Sequence, residues 1–200
     1  MQTWSEVPAA FKDWSELEDK AVSLRDWSPS IVTGLLQTEA YAEALLRTFP
    51  GVSDETVSAR LATRMQRQGR LFARDVLALF IIDELSLYRL TGTHDVMGGE
   101  MRHLAEIATL PNITVQVLPA VANPGVTSGF VIADEAAYTE HIAGGLVYPT
   151  GETVSALMRI FDTLRGECYR VSESAALLER LADQWTGGSL PTAGPTAGTA

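Results

Sequence analysis

The chain has 200 residues and a formal net charge of −10. That leaves room for one domain with a tail and makes a poor match for nucleic-acid phosphates. Apolar residues make up 46%, enough for a core, yet no run reaches the roughly 18 apolar residues that a membrane span needs. The single cysteine, Cys168, cannot form an internal disulfide, and the N-terminus lacks the basic-then-apolar layout of a signal peptide. A cytoplasmic location is therefore expected.

Residues 4–26 carry Trp4, Phe11, Trp14, Leu17, Ala21 and Leu24 at threes and fours, which predicts a helix. Ser15 and Glu18 have the spacing of a capping box, and Pro29 ends the segment. After the connection SPSIVTG, Thr38 is expected to cap a helix over EAYAEALLRTF, and Ser53 a long one running to about Arg70. DVLALFIID is long and β-branched enough for a buried strand, and ELSLYRL is expected to be a second short strand or its continuation. His94 or Asp95 begins a helix that Gly98-Gly99 softens. Ile113, Val115 and Val117 alternate with Thr114 and Gln116, the pattern of a strand packed on one face. FVIAD and AAYTEHIAGGLVYPT are expected as paired strands. Helices follow from Thr153 to about Arg165 and from a Ser172 cap to Trp185.

After residue 186 the sequence becomes GGSLPTAGPTAGTA, with too few large apolar groups to offset the entropy of ordering. The expectation is an α+β domain over residues 1–186, a mainly antiparallel sheet packed by several helices, and a disordered tail over 187–200.

His94, His103 and His141 lack metal-ligand spacing, and no nucleophile elbow, phosphate loop or dinucleotide fingerprint occurs, so neither a metal nor a cofactor is expected. Two features rise above this background. Arginines 60, 64, 67, 70 and 74 repeat at helical spacing just before the first strong strand. Carboxylates at Asp83, Glu84 and Glu140, with Gln116 and Tyr138, fall on strands of one sheet. Arg64 and Arg67 could reach them, either as a structural clamp or as the lining of a pocket for an anionic ligand.

The run PSIVTGLLQTEAYAEALL resembles the signature of a domain of unknown function that follows an XRE-type helix-turn-helix in many actinobacterial transcriptional regulators. The resemblance continues through RLATRMQRQGRL, the Asp83–Leu87 segment, MRHLAEIATLPNITVQVLP, GFVIAD, YTEHIAGGLVY and RIFDTLRGECYRVSES, covering roughly residues 14–186; Thr33 departs from the usual proline. Met1 directly precedes the domain, so the expectation is either an effector domain cut from its regulator or a free-standing relative. The resemblance implies a regulatory effector domain that binds a small molecule or a small partner protein, with a possible homodimer and no direct contact with nucleic acid or membrane. The candidate ligand-binding residues are Arg64, Arg67, Glu84, Gln116, Tyr138 and Glu140. The alternative is an enzyme of secondary metabolism, of cyclase or isomerase type, acting on an apolar metabolite with Glu84, Tyr138 or Glu140 as acid or base. Gly34 is expected to permit a tight turn that Leu35 and Leu36 anchor.

Overall fold

The computed structural model describes residues 9–73, 75–141, 144–188 and 191, apart from the side chains of residues 9–13 and 141. Within that range the chain runs α1 (Ala9–Lys20), β1 (Ser23–Ser28), α2 (Glu39–Leu46), α3 (Asp54–Phe72), β2 (Leu77–Asp83), a 3-10 turn (Glu84–Tyr88), α4 (His94–Ile107), β3 (Ile113–Leu118), β4 (Phe130–Ala133), β5 (Ala136–His141), β6 (Gly144–Tyr148), α5 (Glu152–Glu167) and α6 (Val171–Thr186). The strands form one sheet in the order β3-β2-β1-β4-β5-β6.

The α+β class holds, but the sheet is mixed. Strands β1, β2 and β3 pair in parallel, whereas β4 adds antiparallel to β1 and continues as a β4-β5-β6 meander. Parallel neighbours need long crossovers. The α2–α3 pair supplies one between β1 and β2, and α4 supplies the other between β2 and β3.

Local signals explain most elements. The hydroxyls of Thr38, Ser53 and Thr93 accept the backbone N–H groups of Tyr41, Thr56 and Val96, capping α2, α3 and α4. The cap of α6 is Arg170 instead of Ser172, with the Glu173 carboxylate accepting the Arg170 N–H at 2.9 Å. Gly98 leaves α4 unbroken and serves packing: a Cβ there would lie 2.9 Å from a Thr186 methyl carbon, so its absence lets α4 and α6 approach closely.

Two expectations fail. The helix predicted through residue 26 ends at Lys20, and residues 23–28 form β1 in the middle of the sheet. Leu24 and Trp27 are both fully buried, but on opposite faces. A strand buried on both sides shows no apolar-polar alternation, and two apolar residues three apart imitate a helix. The segment after β2 is a 3-10 turn, not a strand. An Asp83 side-chain oxygen accepts the Leu85 N–H at 2.9 Å, and the Ser86 hydroxyl donates to the Asp83 carbonyl at 2.8 Å. Those local bonds compete successfully with strand pairing.

The sheet buries a core on each face. One face packs Leu24, Phe80, Val115 and Val117 against Trp14, Tyr41, Leu71, Met101, Leu178 and Trp185, which come from all the helices except α5. The other packs Trp27, Ile81 and Phe130 against Val154, Phe161 and Leu164 of α5. Burying each of these large side chains is worth about 1.5–3 kcal/mol. The predicted tail begins at residue 187 and lies, apart from Gly187, Gly188 and Pro191, outside the described residues.

Candidate functional site

The segment leaving β1, residues 29–38, crosses the edge of the first core and is held there by polar side chains from several elements. Residues Thr33 to Leu36 make a turn closed by the Leu36 N–H on the Thr33 carbonyl at 3.0 Å. Gly34 is not among the glycines with positive φ, so its role is space: the guanidinium of Arg64 lies against it, with Nε 3.5 Å from where a Cβ would stand.

Helix α3 lies along this turn with Arg64 and Arg67 facing inward, while Arg70 stays at the surface and Arg74 lies outside the described residues. Arg64 donates to the side-chain oxygen of fully buried Gln37, whose amide donates in turn to the Val32 carbonyl at 2.6 Å. Gln68, one turn further along, donates to the Leu35 and Gln37 carbonyls at 3.2 and 2.9 Å. Arg67 forks onto Glu18 of α1 with bonds of 2.9 and 2.7 Å, and Glu18 also accepts the Trp14 indole N–H at 3.2 Å. Trp14 stacks on Tyr138, with ring centroids 5.5 Å apart.

Two buried carboxyl groups complete the cluster. Asp26, on the face of β1 turned toward α3, accepts the hydroxyls of Thr33 at 2.5 Å and Ser28 at 2.9 Å. Burial pushes its pKa up to about 6 against the opposing pull of those hydroxyls. Glu100 of α4 is wholly buried and accepts the backbone N–H of Thr38, at the start of α2, at 2.8 Å. Its other oxygen has no hydrogen-bond partner among the described residues, and burial pushes its pKa up to about 7. The pKa of Arg64 is pushed down, first by burial and then by Arg67, while Glu140 opposes the shift.

Arg64, Arg67, Tyr138 and Glu140 thus share one neighbourhood, but not with the partners expected. Arg67 meets Glu18, Arg64 meets Gln37, and Glu140 is solvent-exposed. Tyr138 is buried with its pKa pushed up to about 12 by desolvation and then by Glu140, which keeps it protonated and so unavailable as a base at neutral pH.

Glu84 and Gln116 belong elsewhere. Glu84 sits past the end of β2, where it accepts the Tyr88 hydroxyl at 3.2 Å, the Ala120 N–H at 3.0 Å and the Tyr169 hydroxyl at 3.4 Å. It fastens the loop after β3. Gln116 is on the opposite face of the sheet from Arg64, where it donates to the Tyr169 carbonyl at 3.0 Å and accepts from Arg165. The strand period of two separates it from the cluster. Asp83, also expected near the arginines, instead accepts the Asn123 amide at 2.7 Å.

Sequence reasoning missed Glu18, Asp26, Gln68 and Glu100. Asp26 is hidden by the failed helix assignment, and Glu18 and Glu100 occupy positions that look like ordinary helix carboxylates. Gln37 carried the one usable signal, a polar residue inside the apolar-rich run IVTGLLQT. Outside this cluster, a depression of about 380 Å3 lies between α5 and the 124–126 loop, lined by Pro124, Val126, Arg159, Ile160, Thr163 and Leu164. It contains none of the predicted residues. Among the described residues no group of carboxylates, histidines and cysteine could hold a metal ion, and no helix is long and apolar enough to cross a membrane.

A comparison with curated proteins finds no match. Among solved structures the chain is similar to TrmBL2, an archaeal chromatin protein with a novel mode of DNA binding, at 12% identity and a TM-score of 0.38. The alignment takes in 80% of this chain but 49% of that one, so this chain spans about half the length of TrmBL2. A likeness so slight transfers nothing about DNA. Residues 11–180 match the family model described as "Domain of unknown function (DUF5753)", which is most of the chain, and the protein belongs to that family.

Proposed function

We propose that this domain is the regulatory effector part of a transcriptional regulator of the XRE type. It receives a small molecule or a small partner protein and does not read DNA itself. The observation that carries this reading is the polar cluster under residues 29–38. Charged and amide groups from β1, α3 and α4 converge on one turn, with α1 tied to α3 beside them through Glu18 and Arg67, where apolar packing would hold it at less cost in desolvation. The planar donor fork of Arg64 beside this turn matches carboxylate or phosphate geometry, which supports a polar ligand.

The engagement of the α3 arginines within the domain supports the absence of direct DNA binding. Arg67 is committed to Glu18, Arg64 packs on the turn, and Arg70 pairs with Asp19 at 3.2 Å. On a chain of net charge −10, these arginines offer no basic strip to a duplex.

The enzyme reading has less support. The Glu84 carboxylate is engaged by Tyr88, Ala120 and Tyr169, Glu140 is exposed, and Tyr138 stays protonated at neutral pH.

A thermal-shift screen of the purified chain against anionic, cationic and neutral small molecules tests the proposal. The expected result is at least one compound that raises Tm saturably, with the effect reduced in an Arg64→Gln variant. A flat screen, together with a salt-sensitive gel shift of duplex DNA at micromolar protein, would overturn it.

A further inference from the structure

The arginines of α3 divide into two kinds. Arg67 and Arg70 lie within salt-bridge distance of carboxylates, Glu18 and Asp19. Arg64 lies deeper than Arg70, yet among the described residues no carboxylate comes within 4 Å of it. Its neutral partner is the Gln37 side-chain oxygen, which occupies one of the five N–H donors that a guanidinium carries. The neighbours that burial and charge place around it are Arg67 and Arg60, which raise the local positive potential, and the exposed Glu140, which lowers it.

A half-buried cation held by an amide is an incomplete arrangement. Buried charges are ordinarily paired, because burial removes water's stabilisation without replacing it. Gly34 adds a second, geometric observation. With no side chain there, the turn backbone lies against the Nε and Cζ of Arg64, which stand 3.5 and 3.7 Å from where a Cβ would be, so the guanidinium is held in place at the turn. A planar fork of donors suits a two-oxygen anion.

We infer that Arg64, at the Gly34 turn, is the binding centre for an oxyanion, a carboxylate or phosphate group carried by the molecule the domain receives. This deepens the effector reading and rests on it. Gln37 orients the guanidinium through its bond to the Val32 carbonyl. Arg60 and Arg67 add long-range attraction, and Glu140 at the rim competes with the incoming anion. Because Gln37, Gln68 and Arg64 all fasten residues 32–37, an occupied site bears on the same turn that leads into α2.

The test titrates the whole chain with sodium acetate, sodium phosphate and, as the control, sodium chloride at matched ionic strength. Binding is followed by Tm and by the side-chain Nε–H resonance of Arg64, assigned from its loss in Arg64→Gln. The expected result is a saturable shift with acetate or phosphate and none with chloride; which oxyanion saturates first assigns the group. Arg64→Gln should abolish the response. Because that variant also loosens the turn, Glu140→Gln serves as a second arm. It changes an exposed residue and should tighten binding about two- to five-fold, as expected for removing one competing surface charge. A response shared by chloride, no saturation with either oxyanion, or an affinity unmoved by Glu140→Gln and Arg64→Gln would overturn the assignment. A compound from the screen that binds the wild type and Arg64→Gln equally would remove the oxyanion site and leave the effector reading in place. Saturable phosphate or acetate binding at Arg64 beside an otherwise flat screen would do the reverse.

Discussion

Replacing Arg67 by alanine probes the cluster most directly. The Arg67–Glu18 pair is deep: the side chains are 11% and 5% exposed, and the fork consists of two charge-assisted bonds of 2.9 and 2.7 Å. In Arg67→Ala the carboxylate of Glu18 keeps the Trp14 N–H at 3.2 Å but loses its countercharge while staying out of water. Stranding a buried charge in this way costs about 3–5 kcal/mol, which in a domain of this size lowers Tm by about 6–20 °C. Arg70 is the internal control. It pairs with Asp19 at 3.2 Å, but the two side chains are 42% and 34% exposed, so Arg70→Ala should cost about 0–1 kcal/mol. Urea denaturation monitored by tryptophan fluorescence measures both, because Trp14 is buried on Glu18. The companion variant Glu18→Gln and the double variant complete a cycle, in which the double change should recover much of the loss because neither charge is then stranded. Equal, mild effects at Arg67 and Arg70, or a coupling below about 0.5 kcal/mol, would refute the claim that this pair is buried and mutually dependent.

Further outcomes follow from the same structure. Asp26 and Glu100 hold protons in the folded state, with pKa values near 6 and 7, that the unfolded chain releases near 3.8 and 4.5, so rising pH between about 4 and 7 favours unfolding. Chemical denaturation at pH 5.5 and 8.0 should therefore find the protein more stable at the lower pH, with each group contributing on the order of 1–3 kcal/mol. Glu100→Gln should flatten that slope, and a slope unchanged in this variant would rule Glu100 out. Gly145→Ala should be destabilising by about 1–3 kcal/mol in a thermal melt, because its Cβ would fall 2.1 Å from the Tyr138 hydroxyl and push that ring off Trp14. Gly34→Ala should stay within about 1 kcal/mol, since its Cβ meets Arg64 at an ordinary 3.5 Å and φ is not positive; a large loss would show that the turn needs glycine's backbone.

The sequence by itself determined the elements whose signals are local. Thr38 and Ser53 announce their helices because a hydroxyl one residue ahead of a helical run has free N–H groups to accept. β2 and β3 are legible from β-branched runs of strand length, and Arg64 and Arg67 share a helix flank by spacing alone. Tertiary structure decided the rest. β1 was invisible because a central strand buried on both faces loses its alternation, and with it went Asp26, whose significance depends on facing α3. Gln116 parted from Tyr138 because β2, β1 and β4 lie between their strands and the two side chains face opposite sides of the sheet. The partners of the arginines also lay beyond the sequence. Several carboxylates were in reach of an unfolded chain, and only the packing of α1 and the 29–38 turn against α3 selects Glu18 for Arg67 and gives Arg64 an amide in place of a charge. Local hydrogen-bond chemistry acts over a few residues and is written in their order. Which buried charge is neutralised depends on contacts 27 and 49 residues apart along the chain, which form only when the layers close.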